Sequence, residues 1–134
     1  MAHDKRNIYF YVECAESLTP ADGEAWMRLF IDADRSRESG WEGYDYIVNR
    51  IPNSIERNVG GWQWQGANPI KMLHSGTKME LAIPLAVLGV KSGEDFELEF
   101  KWVDNTQSEG DVYDFYLSGD AAPLGRFNYL YRAK

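Results

Sequence analysis

Three aspartates bracket one connection in the stretch LFIDADRSRESGWEGYDYIVNR, residues 29–50. Asp32 and Asp34 close one apolar run, and Asp45 opens the next. Carboxylates are hard oxygen ligands, and calcium gathers about six to eight such oxygens from carboxylates, carbonyls and water. Asp32 and Asp34 stand two residues apart at a strand end, so they share a direction, and the span to Asp45 lets the chain loop back. The same residues also suit a solvated turn in which Asp side chains accept backbone N–H groups. Arg35, Arg37 and Arg50 are available to pair them without a metal. The spacing is not that of an EF-hand: counting from Asp32 puts Arg37 where its glycine belongs and Gly43 where its bidentate glutamate belongs. A second acidic stretch, VDNTQSEGD, offers Asp104, Asn105, Glu109 and Asp111. It has no recognised ligand spacing and reads as an exposed polar turn whose acids around Glu109 tolerate alanine.

The aromatic residues carry a different chemistry. Sugars stack their C–H faces on Trp or Tyr while acids, amides and Arg bond the hydroxyls. Trp62 and Trp64 lie two apart in GGWQWQ, on one face of a short strand, and are the best platform by spacing; core burial is the competing reading. Trp41 sits between glycines in ESGWEGYD, where it either folds back over the protein or serves a ligand. Trp26 begins a strand and fits either role. Trp102 shares a strand face with Phe96, Leu98 and Phe100, which marks it as core. Arg126, in GDAAPLGRF, can bond a hydroxyl or a carboxylate bidentately, or tie its loop to Asp120.

Other chemistries find little support. A glycosidase needs two acids flanking one bond with separated pKa values, and no two acids are paired that way by the sequence. No nucleophile elbow, phosphate loop or zinc spacing is present. Met27, Met72 and Met79 with His74 admit a haem ligand set, which colour in the purified protein would reveal. Cys14 is the single cysteine, so no internal disulfide forms; at the end of NIYFYVEC it reads as a small core residue.

The elements that must position these residues are strands. Period-two alternation recurs in IYFYVEC, WMRLFID, YDYIVNR, SIERNV, WQWQ, IKMLHSGTKMELAI, DFELEFKWV, VYDFYLS and RFNYLYR. IKMLHSGTKMELAI reads as a hairpin turning at Ser75-Gly76. PLAVLG reads as one helical turn opened by Pro84 and closed by Gly89. In DFELEFKWV, the Phe96, Leu98, Phe100 and Trp102 face opposes Glu97, Glu99 and Lys101. About nine short strands, one short helical turn and no long helix predict an all-β, antiparallel β-sandwich of jelly-roll or immunoglobulin-like type, in one domain over residues 1–134.

Composition agrees. The 134 residues include five Trp, eight Tyr and six Phe, residue types that favour pleated, half-buried surfaces. The net charge of −7 argues against non-specific nucleic-acid binding and against an anionic membrane surface. From Glu94 to Asp120 nine acids accompany a single base, Lys101, a field that favours cations over anions. No segment has the length of a transmembrane helix, and MAHDKRN lacks a signal-peptide core.

NIYFYVECAESLTP, WMRLFIDADRSRESGWEGYDYIVNR, RNVGGWQWQ, MELAIPLAVLG, LEFKWVDN and DFYLSGDAAPLGRFNYLY together resemble the carbohydrate-binding-module family 9-like domains, over residues 4–131. The resemblance implies a jelly-roll-like sandwich, often with bound calcium, and in some members recognition of sugar ends between aromatic side chains. It implies a secreted setting, extracellular or periplasmic, with the export signal outside this chain. Such domains usually carry additional strands ahead of NIYFYVE, so an incomplete sheet edge here is expected to admit a homodimer. The combined expectation is a non-catalytic carbohydrate-binding module, with Trp41, Trp62, Trp64 and Arg126 at the ligand and calcium at Asp32, Asp34 and Asp45. The alternative is a structural or docking sandwich domain without sugar affinity.

Overall fold

The computed structural model describes residues 1–18, 27–117, 119–125 and 127–133; Trp26 and Arg126 lie outside them. It is an all-β sandwich of two antiparallel sheets. The strands are β1 (Ala2–His3), β2 (Asn7–Glu13), β3 (Arg28–Asp32), β4 (Tyr46–Val48), β5 (Ser54–Asn58), β6 (Trp64–Pro69), β7 (Lys71–Ser75), β8 (Lys78–Pro84), β9 (Phe96–Asp104), β10 (Asp120–Ala122) and β11 (Tyr129–Ala133). The four-stranded sheet runs β1-β2-β8-β7. The seven-stranded sheet runs β10-β9-β3-β4-β5-β6, and β11 pairs with β9 beside β10.

The core between the sheets follows the alternation. Ile8 and Phe10 of β2, Leu29 and Ile31 of β3, Met79, Leu81 and Ile83 of β8, and Leu98, Phe100 and Trp102 of β9 interdigitate there. Pro84 precedes a 3-10 turn over Leu85–Leu88, and Gly89 closes it in the left-handed region at φ 74, the conformation that glycine adopts without steric penalty. Met27 and Met79 belong to this core, with Met72 packed against it. His74 is exposed on β7, in register with Met79 of β8, and Asn49 Nδ2 lies 3.4 and 3.7 Å from the Met72 and Met79 sulfurs. Cys14 is half-buried against the same core, and burial raises its thiol pKa.

Three departures from the sequence pattern matter. β1 and β10, two and three residues long, are too short for alternation to reveal. VYDFYL, residues 112–117, is not a strand. Asp111 accepts the Tyr113 amide and so opens a turn, and the chain continues into a one-turn helix α1 (Asp114–Leu117). The buried Asp114 carboxylate holds the preceding loop by accepting the Gln107 and Ser108 amides at 2.7 and 3.0 Å. Finally, the outward face of the seven-stranded sheet is not solvated where it was expected to be. All five residues of β3 are buried, because a second apolar layer covers that face: Phe30, Ile47 and Val103 from the strands meet Trp41, Tyr44, Trp64 and Phe115. Among the described residues, no helix is long and apolar enough to cross a membrane.

Candidate functional site

Two connections, residues 33–45 and 105–117, build the outer layer together with Trp64 of β6. The first is a tight loop. Arg35, Gly40, Glu42 and Gly43 all have positive φ. Trp41 and Tyr44 exchange backbone hydrogen bonds at 2.9 and 2.8 Å, and the Asp45 amide returns to the Ile31 carbonyl at 2.8 Å. The turn between the two aromatic residues sends both rings onto Phe30, at centroid distances of 5.6 and 5.2 Å.

At the base of this loop, Asp32, Asp34 and Asp45 each bring a carboxylate oxygen within 4.8 Å of the others. The three differ sharply in environment. Asp45 accepts the Ala33 and Asp34 amides at 2.9 and 3.3 Å, yet burial raises its pKa. Asp34 is exposed. Burial pushes its pKa up, but the Ser39 hydroxyl and the Ser36 amide outweigh that and hold it below the ordinary value. Asp32 is 0% exposed. Neither of its oxygens makes a hydrogen bond of good geometry. Burial first, and the charge of Asp45 second, raise its pKa to about 7, and the nearby Arg35 amide offsets only part of that. A buried carboxylate with so little hydrogen bonding is costly, and a divalent cation among three hard-oxygen donors would lower that cost. The solvated-turn reading fits Asp34 and Asp45, which accept backbone amides, while at Asp32 only the Arg35 amide and the Asp34 carboxyl approach. Arg35 and Arg37 pair instead with the glutamates of β9: Arg35 with Glu97, and Arg37 with Glu99 at 4.0 Å. Arg50 holds Glu56 at 2.6 Å.

The aromatic candidates divide. Trp41 and Trp64 are 7% and 9% exposed and belong to the outer layer. Trp62 is half-buried at its rim, 4.6 Å from Trp41 and 5.4 Å from Trp64 between centroids. The three are brought together, but mainly with one another and with Phe30 rather than with solvent.

The adjoining pocket, about 340 Å³, is lined by other residues: Arg37, Glu42, Tyr44, Lys101, Phe115 and Tyr116, together with Val112 and Gly125. Tyr44 is anchored through its hydroxyl, which donates to Asn128 Oδ1 at 2.7 Å. Lys101, assigned by alternation to the polar face, does face outward but is 1% exposed. Its Nζ donates to the carbonyls of Pro123 and Gly125, the latter at 2.8 Å. Gly125 takes φ 69, and a Cβ there would stand 3.9 Å from Phe127 and 4.0 Å from Tyr116, which places the exposed Phe127 ring beside the pocket.

None of these pocket residues was singled out as a ligand group by sequence. The one available signal was Lys101, the only base among nine acids between Glu94 and Asp120. In the second acidic stretch, Glu109 is not a free surface acid: it pairs with the buried Arg28, so its replacement by alanine would leave that cation without this partner. Comparison of the chain with family models, with curated proteins and with solved structures finds no match.

Proposed function

We propose that this chain is a non-catalytic carbohydrate-binding module of a larger secreted protein, working outside the cytosol, with calcium at Asp32, Asp34 and Asp45. The observation that carries this reading is the lining of the outer pocket: ring faces of Tyr44, Phe115 and Tyr116 beside the charged groups of Arg37, Glu42 and Lys101. A sugar ring presents the matching pair of surfaces, an apolar C–H face and a fringe of hydroxyls. The volume lies at the small end of ligand pockets, which span about 300–1,000 Å³. Calcium supports binding indirectly in this reading. The residues it would draw together bracket the loop that delivers Arg37, Glu42 and Tyr44 to the pocket. The acid with the most elevated pKa, Asp32, is wholly buried and out of reach of a substrate, which favours a structural role for it over acid catalysis.

A docking or structural domain is the second reading, favoured by exposed apolar side chains. Leu117, Leu124 and Phe127 are 83%, 77% and 77% exposed. The edge strand β7 also presents Leu73, where a second copy of the chain would pair.

Intrinsic tryptophan fluorescence tests the two readings, because Trp41 lies 5.8 Å from the pocket residue Phe115. The protein is titrated with mono- and oligosaccharides in calcium, in magnesium and in chelator. The expected result is a saturable, sugar-specific change in calcium that weakens in chelator. A flat response from folded protein across the panel transfers the assignment to the docking domain.

A further inference from the structure

The geometry points to an acidic sugar, a uronate, as the ligand class of the outer pocket, its carboxylate meeting Lys101 and Arg37 and its hydroxyls meeting Glu42. This rests on the proposal that the pocket binds a saccharide, and narrows it. The argument begins with an ammonium group in an unusual place. Lys101 is buried on the outward face of β9 and forms no ion pair with a carboxylate among the described residues. Its two partners are neutral carbonyls. An ammonium has three N–H donors, so one remains, and both Lys101 and its acceptor Gly125 line the pocket.

Among the described residues, the charged groups around it are few. The 33–45 connection contributes Arg37 and Glu42. Glu99, two residues away on the same face of β9, lies 4.0 Å from Arg37. The 105–117 connection contributes only uncharged side chains, Val112, Phe115 and Tyr116, and residues 123–125 contribute carbonyls. Burial, and then the charge of Arg37, hold the Lys101 pKa down to about 8. Lys101 thus has no carboxylate partner among the described residues and stands beside a second cation, and an incoming carboxylate would supply that partner through charge-assisted hydrogen bonds. Glu42 and the overall charge of −7 disfavour a bare anion. A ligand that joins one carboxylate to several hydroxyls and an apolar ring face satisfies all the lining groups together.

The test is calorimetric titration with glucuronate, galacturonate and their short oligomers, against glucose, galactose and matched neutral oligomers, with sodium acetate as a charge-only probe. At pH 7 the uronates are expected to bind at least tenfold tighter than their neutral parents. Lys101→Met removes that preference, and so does raising the pH to 9.5, where Lys101 is neutral. Arg37→Gln, at an exposed side chain, reduces it several-fold while circular dichroism stays unchanged. Equal affinity for neutral and acidic sugars overturns the uronate assignment and leaves the carbohydrate module standing. Acetate binding as tightly as the uronates overturns it as well. Failure of every saccharide to bind folded protein overturns both.

Discussion

Asp32 shows how far residue type and residue environment diverge. Three aspartates in one connection are equally eligible as ligands by sequence, and each is placed differently by the fold. Asp34 is engaged by Ser36 and Ser39, so its replacement disturbs the loop with or without metal. Asp32 is approached only by the Arg35 amide and the Asp34 carboxyl, and its buried carboxylate makes no hydrogen bond of good geometry. Asp32→Asn is therefore expected to act with opposite signs in two buffers. In chelator it removes a buried group whose ionised form is disfavoured, and thermal stability rises, by about 1–3 kcal/mol. In calcium it removes a ligand, and stability falls. Differential scanning fluorimetry of both proteins in both buffers reads this directly. The same sign in both would remove the cation from the account of this site.

At the scale of elements, the 33–45 connection behaves as a small folded unit rather than a linker. Gly40 is where its geometry is tightest. It takes φ 70, and a Cβ on it would fall 2.0 Å from the Tyr44 carbonyl oxygen. Gly40→Ala is expected to destabilise the protein by about 2 kcal/mol or more and to open the Trp41–Tyr44 turn. Loss of protection at the Trp41 and Tyr44 amides in hydrogen exchange, with β2 and β8 unaffected, checks the effect and its confinement to this loop. The 105–117 connection is held by different means. Asp114 gathers two amides, Glu109 reaches the buried Arg28, and Gly110 lies against the Trp62 ring. Its strand-like text, VYDFYLS, misled because seven residues of alternation do not outweigh a local turn opened by Asp111.

The whole molecule stacks two apolar layers on the two faces of one sheet, and the charges caught between sheet and outer layer make its stability depend on pH. Folded Lys101 releases its proton near pH 8, whereas an unfolded lysine does so near about 10.5. Between those values the unfolded chain holds more protons, so the contribution of Lys101 to stability rises with pH. Wild type is expected to gain stability relative to Lys101→Met from pH 7.5 to 9.5 in urea denaturation. A constant difference across that range would mean that the ammonium is better solvated than its burial indicates. This trend runs opposite to the loss of uronate binding over the same range, so stability and affinity separate the structural and ligand roles of one residue.

The sequence by itself determined the sandwich, because alternation decides which side chains face the shared core: Leu98, Phe100 and Trp102 on β9, and Ile8 and Phe10 on β2, lie where the period places them. It also determined the 3-10 turn between Pro84 and Gly89, a local matter of fixed φ and left-handed backbone. Only the tertiary structure decided what covers the other face. Period two says that Lys101 points away from Trp102; it cannot say that residues 33–45 and 105–117 fold back over that direction. Such coverage depends on contacts between segments far apart in the chain. That is why Asp32, Asp34 and Asp45 were visible as a group, while the pocket of Arg37, Glu42, Tyr44, Lys101, Phe115 and Tyr116 emerged only when three distant stretches met.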